Sequence, residues 1–359
     1  MDKKYKMSNK NKEITHLKSL EIKGLWNEID IKWNLDSKVN ILIGKNGMGK
    51  TTLLKSIIAI INEDNEFYKN KFNYLSLLFN NKRYIEVQKN TDVNNRNEKI
   101  NNVDKSYLIK ENILSKQEFE GTRIFSKYIK IENIDTFDLS TENLKNISII
   151  KNPEIKTGLD IILYELINSF KSYQLKLRNL EKKSNTLLNS KILEISLEDS
   201  ENKSSIKEIQ NNLKELRLLI LNKDKKIKEI YQQQNNFIRI VNNLFSDTEK
   251  QLDFNESNSI IFRKNNKTIL PNQLSSGEKQ LLIILLTVIQ QEKKPSIILM
   301  DEPELSLHLS WQIELINSIQ ILNPNSQLIL ATHSPSIFMN GWNDKITRIE
   351  DIISVSIPL

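Results

Sequence analysis

The chain has 359 residues, of which 52 are lysine or arginine and 45 are aspartate or glutamate, and it contains no cysteine. This length can bury a full hydrophobic core in one elaborated domain or two, and the lack of cysteine excludes a disulfide framework and any cysteine-based zinc site. The net charge of +7 is weak evidence for a nucleic-acid partner, because lysine is used throughout the chain and marks no single patch.

The N-terminal stretch, residues 1–18, is polar and rich in lysine. It lacks the apolar segment of a secretion signal, and no later stretch is free of charge for long enough to cross a bilayer. From these features we expect a cytoplasmic protein with no membrane partner.

Three predicted strands come next. Apolar and polar residues alternate over residues 17–23 and 28–33, as in half-buried strands, and the apolar run over residues 39–43 predicts a buried strand. Directly after it, residues 44–51 fit the pattern G-x-x-x-x-G-K-[ST] and lead into a stretch with helical spacing. A strand, a glycine-rich turn and a helix in this order predict a phosphate-binding loop.

In such a loop, successive backbone N–H groups and the start of the helix face a phosphate chain. Lys50 would add a point charge between the β- and γ-phosphates, and Thr51 a hydroxyl ligand for Mg²⁺. A glycine turn before an ordinary helix is the alternative, but it rarely carries lysine and threonine in this register. The residues expected to contact the nucleotide here are Asn46, Gly47, Gly49, Lys50, Thr51 and Thr52.

The helix after Thr51 is expected to end among the polar residues 62–65. Short strand-like runs between asparagine-rich turns then predict a small antiparallel β subdomain over residues 71–107. Residues 128–134 predict one further strand.

Beyond Pro153, apolar residues recur at alternating spacings of four and three. One seam runs from Leu159 to Leu187 and a second from Ile206 to Leu244, and heptad seams of this kind are typical of paired helices. The polar stretch between them, residues 197–205, predicts the turn of an antiparallel helical hairpin. This short coiled coil would have arms of roughly 40 to 60 Å.

Two alternatives to the hairpin stay open. Both arms could lie flat on the globular body as ordinary amphipathic helices, or they could grip nucleic acid, although the mixed lysines and glutamates single out no basic face. The predicted domains are residues 1–150, with the phosphate-binding loop and the β subdomain, residues 151–250, the hairpin, and residues 251–359, a C-terminal lobe.

A β-hairpin is predicted over residues 259–262 and 267–270, and the sequence L-S-S-G-E-K-Q follows at residues 274–280. It precedes an apolar helix over residues 281–289. Ser275 and Ser276 are good helix caps, since their hydroxyls can accept bonds from free backbone N–H groups. In isolation this stretch would therefore have a purely structural role.

Two further strands end in chemically active residues. The strand over residues 296–300 leads into Asp301, which can hold the shell of Mg²⁺, and Glu302, which can take a proton from the attacking water. The alternative is a helix start, which the proline at position 303 would fit.

The strand over residues 327–331 ends near His333, whose neutral imidazole can donate to the γ-phosphate or the water. We therefore expect Glu302 and His333 to be catalytic, and Thr51 and Asp301 to bind metal.

Together these motifs resemble the P-loop, signature, Walker B and switch-histidine set of ABC-type ATPases, over residues 15–150 and 245–350. The signature, the D-E-P-E-x-x-L-H run at residues 301–308 and the A-T-H-S-P run at residues 331–335 are similar to the soluble SMC/RecF/OLD-like branch. Bacterial anti-phage ATPases of the Septu, PARIS and retron-associated kinds belong to that branch.

The resemblance implies an α/β P-loop NTPase fold, an ABC-type ATPase head with a helical-hairpin insertion, and it implies ATP and Mg²⁺ as cofactors. It also implies a head-to-tail homodimer, in which ATP lies between Lys50 of one copy and the signature of the other. The signature residues expected to contact ATP are Ser275, Ser276, Gly277 and Glu278.

Departures from the ABC-type pattern argue against several classes of ATPase. Transporter ATPases have a shorter insert before the signature and an acidic residue after Walker B, where this chain has serine, leucine and histidine at residues 306–308. A cysteine-based zinc hook is excluded, and too few residues follow His333 for the nuclease domain of OLD proteins. The glutamine-loop residue is not identified, with Gln88, Gln117 and Asp138 as candidates.

Three functions remain open at this stage. The favoured one is an ATP-driven switch that gates a separate effector, such as a nuclease, in anti-phage defence. The second is a DNA-binding repair or chromosome ATPase of the SMC/RecF kind, and the third is a scaffold that holds ATP without turning it over. The first is favoured because the ATPase chemistry is complete while the chain carries no effector domain.

Overall fold

The computed structural model describes residues 13–62, 64, 67, 71–89, 107–111, 130–135, 155, 157–201 and 206–355. The chain divides into two compact units, one made of Met1–Asn146 with Lys293–Leu359 and the other of Ile147–Glu292. The strands are β1 (Leu17–Leu25), β2 (Ile29–Asn34), β3 (Val39–Ile43), β4 (Tyr74–Phe79), β5 (Tyr84–Lys89), β6 (Tyr107–Glu111), β7 (Lys130–Asp135), β8 (Gln251–Phe254), β9 (Ile260–Lys264), β10 (Lys267–Ile269), β11 (Ser296–Asp301), β12 (Ser326–Ala331), β13 (Ile346–Arg348) and β14 (Ile353–Val355).

The α-helices are α1 (Lys50–Asn62), α2 (Gly158–Glu201), α3 (Ile206–Leu244), α4 (Ser276–Ile289), α5 (Leu309–Leu322) and α6 (Ile349–Ile352). None of these described helices is both long enough and apolar enough to span a membrane.

A parallel sheet positions the motifs of the first unit. Its order is β13-β3-β12-β11-β7, and each neighbouring pair is parallel. Every residue of β11 and β12 is buried, as expected for parallel strands covered on both faces. In the register, Asp301 lies beside Ala331 and Ala331 beside Leu42. The carboxyl ends of β3, β12 and β11 therefore meet at one edge of the sheet.

The second sheet of this unit is antiparallel, in the order β14-β2-β1-β4-β5-β6. It contains the two strands predicted before the phosphate-binding loop. The antiparallel strands predicted over residues 71–107 include β4 and β5, which pair with each other, and β4 also pairs along β1, so these strands extend a larger sheet. Alternation in the sequence marks strands but does not say which strands pair. Residues 90–106 of that prediction lie outside the described residues.

Helix α1 packs in the core of the first unit. Leu53 and Ile57 are fully buried there, in one cluster with Leu77 of the antiparallel sheet and Ile329 of the parallel sheet. The helix ends at Asn62, within the range predicted from the sequence. Its first residue, Lys50, is consequently held at the edge where the parallel strands end.

The second unit contains the two long helices. At 1.5 Å per residue, α2 with 44 residues and α3 with 39 extend about 66 and 59 Å. The two helices are in contact. The ring centroids of Phe170 on α2 and Phe237 on α3 are 5.3 Å apart, and the Tyr231 hydroxyl on α3 donates a hydrogen bond to Glu181 on α2 at 2.6 Å. The two predicted helices are thus present.

The predicted heptad seam is buried only in part. Phe170 and Leu177 are buried on α2, whereas Leu180, Leu213 and Ile220 are 43%, 61% and 49% exposed. A continuous coiled coil therefore stays a prediction. The predicted turn over residues 197–205 is wrong over residues 197–201, because α2 continues to Glu201, and residues 202–205 lie outside the described residues. Adding one hydrogen bond per residue to an existing helix outweighs the weak helix propensity of a polar stretch.

The second unit also has a three-stranded antiparallel sheet in the order β10-β9-β8. The predicted hairpin is its β9–β10 pair, and the turn residues Asn265 and Asn266 have φ values of 50° and 60°. Asparagine tolerates this left-handed conformation, which two-residue hairpin turns require. The sheet is followed by α4, whose residues are buried from Gly277 through Leu286.

Candidate active site

The phosphate-binding loop connects β3 to α1, and its glycines are required by geometry. Gly47 and Gly49 have φ values of 82° and 92°, a region that side-chain-bearing residues rarely occupy. A Cβ atom on Gly44 would lie 2.3 Å from Ile349, and one on Gly49 would lie 2.8 Å from Trp26. Apart from its chain neighbours, no described residue has an atom within 4 Å of the Cβ position of Gly47, so the described part of the structure leaves the crest of the loop open.

Lys50 is buried at the base of this loop. Its ammonium donates to the carbonyl oxygens of Gly44 at 2.9 Å and Lys45 at 3.2 Å, and it lies 2.7 Å from His333 Nε2. Burial lowers the pKa of Lys50 below its ordinary value, although the carboxylates of Glu302 and Asp301 act in the opposite direction. A cation destabilised by burial beside an open loop is suited to receiving an anion.

Two carboxylates stand at the end of the neighbouring strand. Asp301 is the last residue of β11 and is buried. Glu302 has a φ of 46°, and its N–H donates to the carbonyl of Ala331 at 2.8 Å. Backbone strain in a residue other than glycine is concentrated at functional sites. The alternative of a helix start here is wrong, because the next helix begins at Leu309.

His333 lies between Lys50 and Glu302. Its Nε2 is 2.7 Å from the Lys50 ammonium and 3.4 Å from Glu302 Oε1. When Lys50 carries its charge it can only donate, and in that state Nε2 accepts and the ring proton lies on Nδ1. The structure therefore brings together three predicted residues that stand on three separate chain segments.

The other predicted residues of the first unit lie around this group. Thr51 and Asn46 are exposed, and Thr52 is partly buried. Thr51 and Asp301 offer the hydroxyl and carboxylate oxygens that Mg²⁺ prefers, so the residues present fit that ion. Their predicted roles as ligands stay predictions.

The signature belongs to the second unit. Ser275 caps α4, with its hydroxyl accepting from Glu278 N at 3.3 Å and its own N–H donating to Glu278 Oε2 at 2.8 Å. Ser276 is exposed at the first position of the helix, while Gly277 and Glu278 are buried. The predicted cap is present, and the contact of these residues with ATP stays a prediction.

A buried ion pair holds the signature in place. Lys250, which follows α3, donates to both oxygens of Glu278 at 2.7 Å. Burial pushes the pKa of Glu278 upward, but Lys250 and the Ser275 N–H outweigh that effect and leave the pKa below its ordinary value. A carboxyl whose pKa is lowered by folding contributes stability above its unfolded pKa, and this is lost as the pH falls through the folded pKa.

Lys250→Met is expected to lower the free energy of unfolding by about 3–5 kcal/mol at pH 7, because it leaves a buried carboxylate unpaired. The loss should shrink as the pH is lowered and the unpaired Glu278 takes up a proton. Urea denaturation at several pH values measures both effects. The double variant with Glu278→Gln is the control and should lose less stability than Lys250→Met alone. A loss that does not depend on pH would contradict this account.

Three residues that shape the candidate site were not predicted from the sequence, namely Trp26, Lys250 and Glu304. Trp26 lies against Gly49, is 41% exposed and has a φ of 55°, but its approach to the loop depends on how β1 and β2 are placed. Lys250 and Glu304 were not singled out either, although the acid at position 304 is part of the D-E-P-E run. Of the glutamine-loop candidates, Gln88 is an exposed residue of β5, while Gln117 and Asp138 lie outside the described residues.

Comparison with known proteins identifies the family. Residues 39–340 match the family described as an AAA domain, putative AbiEii toxin, Type IV TA system. The chain belongs to this family. The match includes the phosphate-binding loop, the signature, the Walker B strand and His333. The predicted α/β P-loop NTPase fold, of the AAA type, is thereby confirmed.

The chain is also similar to a curated protein over a short stretch. The chain is 36% identical over 56 residues to the retron Vc95 probable ATPase of Vibrio cholerae serotype O1 biovar El Tor, a match of 16% of this chain and 11% of the relative.

Among solved structures, the Smc head domain of Pyrococcus furiosus with an extended coiled coil, bound to the C-terminal domain of ScpA, has a TM-score of 0.47 at 14% identity. That match covers 95% of this chain and 96% of the other. The SMC head domain from Thermotoga maritima has a TM-score of 0.45 at 13% identity, covering 96% and 99%.

Proposed function

We propose that this protein binds and hydrolyses ATP and that its nucleotide state regulates a separate effector protein. The observation that carries the proposal is that Lys50 and Glu302 both approach His333 Nε2, the Lys50 ammonium at 2.7 Å and Glu302 Oε1 at 3.4 Å. A cation, a carboxylate and an imidazole at the edge of a phosphate-binding loop are the groups that phosphoryl transfer to water requires.

The chain's residues have distinct tasks in this reaction. The backbone N–H groups of the loop and the Lys50 ammonium bind the β- and γ-phosphates. The phosphate oxygens then replace the carbonyl and imidazole partners that Lys50 has in the free protein. Glu302 takes a proton from the attacking water. Once the phosphates have replaced His333 as a partner of Lys50, the imidazole can carry its proton on Nε2 and donate it in a hydrogen bond to the γ-phosphate. Mg²⁺, held by Thr51 and Asp301, would neutralise the charge on the phosphate oxygens.

ATP is proposed to lie between two copies arranged head to tail. The exposed start of α4, with Ser275 and Ser276, offers hydroxyls and the positive end of a helix dipole, and these suit a γ-phosphate. In this arrangement each signature completes the site of the other copy, so the homodimer is the active form.

The effector is proposed from the names of relatives. The family description names a putative toxin of a type IV system, and the curated relative is named the probable ATPase of a retron. We place this protein in the cytoplasm as an ATP-driven switch of anti-phage defence that controls a partner such as a nuclease.

The first test is ATP turnover and native mass of the full-length protein purified from its host, measured with and without ATP. The expected result is turnover, an increase in mass to a dimer with ATP, and a second polypeptide of fixed stoichiometry. A protein that neither hydrolyses ATP nor changes mass with it would overturn the proposal.

A second candidate function is a DNA-binding repair ATPase. The sequence of the two arms as a whole singles out no basic face, but residues 171–183 of α2 carry five lysines or arginines and one glutamate, and a locally basic stretch can contact phosphates. For that function, turnover should rise with duplex DNA and the stimulation should fall steeply with salt. Turnover that is indifferent to DNA would exclude it.

Trp26 is proposed to stack on the base of the bound nucleotide, since its exposed ring lies beside Gly49. Trp26→Ala is expected to weaken the affinity for a fluorescent ATP analogue by about 5- to 100-fold, the usual effect of losing one base–aromatic contact. Trp26→Phe should retain most of the affinity. The control Tyr164→Ala removes an equally exposed aromatic residue of the second unit, and equal effects in the two alanine variants would contradict the assignment.

A further inference from the structure

One oxygen atom of Glu304 accepts three hydrogen bonds. Glu304 Oε1 is bonded by the Thr332 hydroxyl at 2.7 Å, by the backbone N–H of His333 at 2.8 Å and by that of Ser334 at 3.1 Å. The residue is only 9% exposed, and within the described part of the chain its Oε2 has no hydrogen-bond partner. Burying a carboxylate costs free energy unless hydrogen bonds replace its lost hydration. The three bonds to residues 332–334 therefore offset part of the cost of burying Glu304.

The fold brings the carboxylate to that segment by a strained loop. Strands β11 and β12 are parallel neighbours, and after β11 the chain turns through Glu302 and Ser306, with φ values of 46° and 68°. Leu307 N donates to the Glu304 carbonyl at 2.9 Å, which closes the turn around Glu304. The side chain then lies across the end of β12, where residues 332–334 begin.

A second set of bonds closes the same region. The Ser334 N–H donates to the Thr332 hydroxyl at 3.0 Å, and the Ser334 hydroxyl donates to Gln312 Oε1 at 2.7 Å. Gln312 Nε2 in turn donates to the Leu307 carbonyl at 3.0 Å. The network returns to the loop that carries Glu304, so residues 332–334 are held on both sides.

We propose that Glu304 is a positioning residue that fixes His333 between Lys50 and Glu302. His333 Nε2 is 2.7 Å from Lys50 and 3.4 Å from Glu302, and its backbone N–H is the group that Glu304 holds. Glu304 touches neither the phosphates nor the attacking water in this account and acts only through His333. The inference rests on the proposed hydrolysis of ATP for its effect on turnover, but the placement of the ring can be tested without ATP.

The matched variants are Thr332→Val and Thr332→Ser. Thr332 is fully buried, and valine has nearly its shape but lacks the hydroxyl that Glu304 accepts, whereas serine keeps it. Thr332→Val removes one of the three bonds to Glu304, and Glu304→Gln keeps an acceptor oxygen but removes the negative charge that strengthens all three. Both are expected to lower kcat by roughly 10- to 100-fold with little change in the KM for ATP, because displacement of a catalytic group by about 1 Å costs up to 10²-fold. Thr332→Ser should retain most of the turnover.

A double variant separates positioning from general stability. If Glu304 acts through His333, Glu304→Gln should have little further effect on kcat once His333→Ala is present, because the two changes remove one function. If the two losses multiply, Glu304 acts independently of His333 and the proposal is overturned. Glu314→Gln makes the same change at an exposed site on α5 and is the control for charge.

The readout that does not need turnover is the tautomer of His333, measured by ¹⁵N NMR on the full-length protein. The chain has three histidines, and His333→Ala assigns the signal. In the wild type and Thr332→Ser, Nε2 should be unprotonated, as its contact with Lys50 requires. In Thr332→Val and Glu304→Gln the two tautomers should mix. An unchanged tautomer in both variants would overturn the positioning role, and a wild type with this tautomer but no ATP turnover would overturn only the proposed hydrolysis.

Discussion

Glu302→Gln is expected to lower the kcat for ATP hydrolysis by roughly 10²- to 10⁴-fold, which is the usual contribution of a general base. Glutamine has the same shape but accepts no proton at neutral pH, so the attacking water would no longer be activated. The strained backbone at Glu302 aims the side chain at the same region as Lys50 and His333, 3.4 Å from the imidazole. Steady-state phosphate release measures the effect.

ATP binding should survive this substitution, because the phosphates are bound by the loop and Lys50. The variant is therefore expected to accumulate the ATP-bound dimer, which native mass measurement would detect. Glu314→Gln, an exposed change on α5, should leave kcat within about threefold of the wild type, as surface changes usually do.

If Glu302→Gln and the wild type have the same slow rate while both bind ATP, the protein is a scaffold that holds ATP without turning it over. If the variant loses ATP binding as well, Glu302 supports the site rather than the chemistry. Either result would remove the general base from the proposed mechanism.

The sequence was sufficient for those parts of the site whose chemistry is local. The order of strand, glycines, Lys50 and Thr51 lies within one dozen residues, and only a phosphate-binding loop requires all of them in that register. Asp301 and His333 could be predicted for a related reason. Each stands just beyond an apolar run, and the ends of parallel strands meet at one edge of a sheet.

Contacts between distant segments could not be predicted in the same way. Trp26 touches Gly49 only because the turn between β1 and β2 is held over the loop, and Glu304 meets residues 332–334 only because β11 and β12 are neighbours in register. The pairing of β4 with β1 is of the same kind. Strand pairing depends on the whole set of burial and turn preferences, and one segment of sequence carries little of it.

The predicted heptads show a different limit. The periodic spacing of α2 and α3 marks both helices correctly, since periodicity is a property of each helix by itself. Whether a seam is buried depends on a partner, and Leu213 and Ile220 are exposed despite their heptad positions. Periodicity therefore predicts the element more securely than its contacts.

Co-expression of two inactive variants tests whether the site is shared between copies. Lys50→Met removes the charge that binds phosphate, and Ser276→Arg places a bulky side chain at the exposed start of α4. Each variant alone is expected to have no measurable turnover. In a head-to-tail dimer that contains one chain of each kind, one of the two sites has both an intact loop and an intact signature. Random pairing should then restore up to about a quarter of the wild-type rate.

The control pair is Lys50→Met with Glu302→Gln. Lys50 and Glu302 lie around His333 in the same unit of the same chain. In a mixed dimer, one site therefore lacks Lys50 and the other lacks Glu302, and no turnover should return. Restored turnover in the first pair and none in the second would establish that the signature acts across the dimer while the base acts within its own chain. If neither pair regains activity although the variants form mixed dimers, the signature does not complete a partner's site, and the head-to-tail arrangement fails.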